Sequence, residues 1–121
     1  MNSNILDSSV WISFIIENKN AELIESEDDI LISTASLFEI KRKLIKDKVS
    51  SADIENTLKF IKKRCLIIPI DEKIADKAAD ISAQKNIPAM DSLIYATALL
   101  NNAALITLDN DFRGFDKVSI L

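Results

Sequence analysis

The chain has 121 residues, 48% hydrophobic and 28% charged, with a net charge of −4. That length suits one domain, read here as residues 1–121, and that balance suits a packed core rather than long disorder. With no histidine and a single cysteine, the chain excludes Ser-His and Cys-His nucleophile pairs, histidine bases, His- or thiolate-ligated zinc and an internal disulfide framework.

Any demanding chemistry must therefore rest on carboxylates, hydroxyls, lysines, or a metal held by oxygen. Oxygen ligands select Mg²⁺, Mn²⁺ or Ca²⁺. The lone Cys65 lies in the apolar run CLIIPI, where a core role outweighs a nucleophilic one, and it fits a reducing, cytoplasmic setting. The N-terminal MNSNILDSS lacks a basic segment followed by a long apolar one, so no secretory leader is expected. No apolar run approaches the ~20 residues of a membrane span.

In chain order, NILDSS opens as a short strand, and Ser8 or Ser9 is placed to cap a helix through VWISFIIEN, with Val10, Phe14 and Trp11 toward the core. NAELIES reads as a short helix and ILIS as a second strand. Ser33, Thr34 or Ser36 then starts a helix through about Lys46, with Leu37, Ile40, Leu44 and Ile45 at helical spacing. Ser50 to Arg64 is a further amphipathic helix, and CLIIPI is a third strand. Glu72 to Lys85 is helical, with Ile74, Ala78 and Ile81 on one face. Pro88 opens the next helix, which Asn101 or Asn102 ends in place of a glycine. AALIT is a fourth strand and KVSIL a short edge strand.

Strands alternating with helices predict an α/β fold: a central, mostly parallel sheet of four to five strands, helices on both faces. In open sheets of this kind ligands gather at the carboxyl ends of the strands. Asp7 follows the first strand and Asp109 the fourth, so both belong at that edge.

These acids head the list of candidate functional residues. Asp7 could instead cap the helix after it. Asp91 opens a helix that is apolar nearly all round, so its end should face the strand ends, although a first-turn acid also suits the dipole. In LITLDNDF, Asp109 and Asp111 form either a polar turn or a metal rim, with the Thr107 hydroxyl beside them. Glu39 stands three residues after Ser36, which is also the spacing of a capping box. Charge is uneven: residues 41–64 hold nine Lys/Arg against three Asp/Glu. Lys41, Arg42 and Lys43 lead that run, which is either a solvated helix face or a phosphate-tracking surface.

Taken together, ILDSSVWI, SLFEIKRKL and IPAMDSLIYATALLNNAALITLDNDF resemble a PIN domain, and more closely the VapC-type toxins of toxin–antitoxin pairs. The likeness covers nearly the whole chain. It implies a catalytic quartet of Asp7, Glu39, Asp91 and Asp109, with Asp7, Asp91 and Asp109 as metal ligands and Asp111 as an auxiliary ligand or an alternative to Asp109. Ser8 and Thr107 would be nearby polar contacts. It further implies a Mg²⁺- or Mn²⁺-dependent ribonuclease, an RNA substrate, a cognate antitoxin protein and a homodimer. Relatives often carry glycine where Asn101-Asn102 stand and around residues 86–90; neither departure touches an acid. A phosphoacceptor receiver would need adjacent acids after the first strand, and a haloacid-dehalogenase phosphatase an acid at the position of Ser9. A non-catalytic RNA- or protein-binding module of the same fold is the alternative.

Overall fold

The apolar runs fold as their continuity predicts. In the computed structural model, which describes residues 3–121, the order is β1 (Ser3–Leu6), α1 (Ser8–Glu17), α2 (Ala21–Glu25), β2 (Asp29–Ser33), α3 (Thr34–Lys46) and α4 (Ser51–Arg64). There follow β3 (Leu66–Ile68), α5 (Glu72–Lys85), α6 (Ala89–Leu100), β4 (Ala104–Thr107), a 3₁₀ turn (Asn110–Phe112) and β5 (Val118–Ile120). Met1 and Asn2, part of the stretch read for a leader, lie outside the described residues.

The sheet order is β3-β2-β1-β4-β5, and every pairing is parallel. The chain steps outward from β1 through β2 to β3, then returns to place β4 on the other side of β1. That reversal makes the β1–β4 boundary a switch point, where a crevice opens at the carboxyl ends. Leu6 pairs with Ile106 there, so the next residues, Asp7 and Thr107, emerge side by side.

Adjacent strand residues point to opposite faces, and both faces are covered. Ile5, Leu31 and Leu105 enter one core with α5 and α6, including Ile74, Ala78, Ile94 and Tyr95. Leu6, Ile30, Ile32 and Ile106 enter the other, with Trp11 of α1, Ile40 and Leu44 of α3, and Ile54 and Ile61 of α4. This explains why the strands read as unbroken apolar runs rather than alternating ones.

Several local expectations shift. Asp7, rather than Ser8 or Ser9, caps α1, accepting from the Ser8 N–H. Pro88 is the cap residue of α6, one place before its first helical residue. Asn102 takes the left-handed conformation at φ 51°, after which the Ala103 N–H closes back on the Ala98 carbonyl. Ile45, expected on the apolar face of α3, is 55% exposed because the core stripe passes through Ile40 and Leu44 instead. Leu66 is exposed because β3 is an edge strand. Cys65 packs against the second core, and burial pushes its thiol up to about 12, which leaves it inert.

Candidate active site

Five carboxylates gather at the carboxyl edge of β1 and β4. Asp91 registers the gathering: its pKa is pushed up to about 7, first by burial, then by the negative charges of Asp7, Asp109, Glu39 and Asp111. Like charges this close resist joint ionisation unless a cation relieves them.

Asp7 is 4% exposed and held by hydroxyls. Its Oδ1 accepts from the Ser8 N–H at 2.8 Å, and its Oδ2 accepts from Ser9 Oγ at 2.9 Å and Thr107 Oγ1 at 2.8 Å. These bonds offset the cost of burying the carboxylate and fix its plane. Thr107 Oγ1 in turn accepts from the Asp109 N–H at 3.0 Å, so one buried hydroxyl ties the two strand ends together.

Glu39 sits in the second turn of α3, because Ser33 is the cap of that helix and accepts from the Ala35 N–H at 3.0 Å. The capping-box alternative is therefore overturned: Ser36 Oγ is buried without a partner. Glu39 Oε1 instead accepts from Ser8 Oγ at 2.9 Å, thirty-one residues away in the chain. Ser8 thus bridges the first helix to the third.

Asp91 lies in the first turn of α6, an end that no side chain caps. The free backbone N–H groups and dipole of such an end favour negative charge near it. Asp109 caps the 3₁₀ turn, accepting from the Asp111 N–H at 2.9 Å. Polar turn and acidic rim are the same structure here. Phe112 anchors that turn: 1% exposed, it packs on Tyr95 of α6 with ring centroids 5.9 Å apart. Among the described residues, Asp91, Asp109 and Asp111 each offer an oxygen within 4.8 Å of the others. That all-oxygen set fits a hard divalent ion. Asp7 stands outside this trio, though it acts on Asp91 through its charge.

The basic run divides. Lys41, Arg42 and Lys43 are all exposed. Lys43 pairs with Asp47 at 3.2 Å, whereas Lys41 lines a groove of about 520 Å³ between α3 and α4 with Lys59 and Lys62. Arg64 leaves the phosphate-tracking set altogether. Its guanidinium donates to the carbonyls of Ile24, Ser26 and Asp28 at 2.6, 2.9 and 3.1 Å, stapling the entry to β2.

Ser9 is the site residue that sequence reasoning missed. It donates to Asp7 and accepts from the Leu108 N–H at 3.2 Å. Its position two residues after Asp7 was the available signal.

A sequence model described as the PIN domain matches residues 5–118. The chain belongs to the PIN domain family. No curated protein matches it significantly. Among solved structures it is similar to a chain of a toxin–antitoxin complex from Klebsiella pneumoniae, with TM-score 0.81 and 22% identity, covering 96% of this chain and 95% of that one. It is also similar to a chain of VapBC2 from Rickettsia felis bound to a promoter DNA fragment, with TM-score 0.78, 22% identity and coverage of 98% and 97%. A third relative is VapC20 from Mycobacterium tuberculosis, described as a sarcin–ricin-loop-cleaving toxin, with TM-score 0.74, 12% identity and coverage of 94% and 97%. At these identities the likeness to the solved structures establishes the PIN fold. No described helix is long and apolar enough to cross a membrane.

Proposed function

We propose that this PIN domain is a Mg²⁺- or Mn²⁺-dependent endoribonuclease, the toxin of a toxin–antitoxin pair, inhibited by a cognate antitoxin and acting as a homodimer. One observation carries the reading: Asp91, Asp109 and Asp111 bring carboxylate oxygens within 4.8 Å of one another at a sheet edge, and Asp7 and Glu39 from two further segments add their charge against Asp91. A protein bears that repulsion most readily where a cation is to be held. Fold neighbours described as part of a toxin–antitoxin complex and as a toxin support the biological context.

In this reading Asp91, Asp109 and Asp111 would hold the ion, with Asp7 as a further carboxylate of the same centre. When bound, Mg²⁺ or Mn²⁺ supplies Lewis acidity, polarising the phosphodiester and making water a better nucleophile at neutral pH. Ser8, Ser9 and Thr107 keep Asp7 aligned, so little reorganisation is needed when substrate arrives. Glu39, held by Ser8, orients the attacking water and accepts its proton. No side chain serves as nucleophile, as suits a chain without histidine.

Incubation of the purified chain with RNA and Mn²⁺ tests this. Metal-dependent cleavage that chelator abolishes is expected. Cleavage that persists in excess chelator contradicts the metal role, and RNA binding without any cleavage returns the chain to a binding module.

A further inference from the structure

Asp7 Oδ2 accepts two hydroxyl bonds, from Ser9 Oγ at 2.9 Å and from Thr107 Oγ1 at 2.8 Å. Both hydroxyls are themselves held by the end of β4. Ser9 Oγ accepts from the Leu108 N–H at 3.2 Å, and Thr107 Oγ1 accepts from the Asp109 N–H at 3.0 Å. A hydroxyl has a single proton, and with an amide already donating to its oxygen that proton goes to the carboxylate. Two successive amides of the chain thus aim two hydroxyl protons at one oxygen, and both lone pairs of Oδ2 are taken. Oδ1 accepts from the Ser8 N–H at 2.8 Å, while the Ser8 hydroxyl gives its proton to Glu39 at 2.9 Å. Of the roughly four acceptor positions of a carboxylate, Asp7 therefore keeps one, on Oδ1.

We propose that Ser9 and Thr107 are positioning residues that set which divalent ion the acidic centre takes. By occupying Oδ2 they hold Asp7 to a single free oxygen, which turns the centre toward Mg²⁺ or Mn²⁺ and against Ca²⁺. The proposal rests on the metal-dependent reading and adds ion selectivity to it. An all-oxygen ligand set by itself accepts any of these hard ions, so the choice comes from how freely each carboxylate can turn. Mg²⁺ takes few carboxylates, keeps several waters and demands a near-octahedral arrangement. Ca²⁺ takes about six to eight oxygens and gains from carboxylates that offer both of theirs. A buried carboxylate with one oxygen clamped serves the smaller ion and denies the larger one a ligand atom.

The test measures ion binding by the full chain without RNA, so turnover does not enter. Uptake of Mn²⁺ is followed by loss of the electron paramagnetic resonance signal of the free ion. Mg²⁺ and Ca²⁺ are ranked by the concentration of each that displaces it. Wild type, Ser9→Ala, Ser9→Thr and Thr107→Val are compared, with folding of each checked by circular dichroism. Ser9→Ala should move the ratio of Ca²⁺ to Mg²⁺ affinity toward Ca²⁺ by roughly tenfold, and Thr107→Val should move it the same way. Ser9→Thr keeps the hydroxyl and should stay near wild type. A ratio unmoved in Ser9→Ala, or an equal loss of both ions, overturns the clamp, because a merely structural bond would weaken every ion alike. Wild type that takes up no Mn²⁺ overturns the metal reading beneath it, whereas Mn²⁺ uptake with an unmoved ratio overturns the ion choice alone.

Discussion

Thr107 donates to Asp7 across 2.8 Å, although the two residues stand one hundred positions apart. The bond spans the switch point between β1 and β4, and the same hydroxyl accepts from the Asp109 N–H. Thr107→Val keeps the shape and removes both bonds. It should destabilise the chain by ~1–3 kcal/mol in denaturant titration and reduce cleavage by loosening Asp7 and Asp109 together. Ser9→Ala, at a more open position, should cost less on both counts.

Asp91 makes the ion-free protein pH-sensitive. Its folded pKa of about 7 stands above the ordinary 3.8, so the folded state holds the proton more tightly than the unfolded one. Its contribution to stability is complete below the ordinary carboxyl value and is lost as pH rises through about 7. Melting in chelator should therefore show falling stability across that window, and Asp91→Asn should flatten it. Because an ion competes with the proton, stabilisation by Mg²⁺ should be greater near about pH 8 than near about pH 5.

Phe112 carries the rim rather than the chemistry. Phe112→Ala removes the ring that fixes the Asp109–Asp111 turn against Tyr95, and should cost ~3–5 kcal/mol by denaturant titration. Phe112→Leu fills part of that space and should fall between it and wild type.

The basic residues should separate by experiment as they do by position. Replacing Lys41, Arg42 and Lys43 together by Ala should weaken RNA binding and flatten its salt dependence, without lowering the melting temperature appreciably. Arg64→Ala should do the reverse, losing stability by about 2 kcal/mol or more while the salt slope stays. Arg64→Lys should not rescue it, because an ammonium cannot span three carbonyls as a planar fork does.

Much of this was legible in the chain. The continuous apolar runs gave a buried parallel sheet, and helical spacing gave each helix to within a residue or two. The strand-end positions of Asp7 and Asp109 put them on one edge. Less legible were features that depend on packing. Glu39 read equally as a capping box, because sequence cannot tell that Ser33 takes the cap and leaves Ser36 unpartnered. Arg64 read as one more cation of a basic run, since its three carbonyl partners lie about forty residues upstream and share no pattern with it. Ser9 looks ordinary in sequence: its place in the site comes from the neighbouring strand end, where it accepts from the Leu108 N–H.

The central claim is that the gathered carboxylates form one ion-dependent cutting centre. The most direct test is RNA cleavage with Mn²⁺ by wild type, Asp7→Asn and Asp91→Asn, with folding of each checked by circular dichroism. The account predicts cleavage by wild type alone, with both variants folded and inactive. Cleavage undiminished in either folded variant would contradict it.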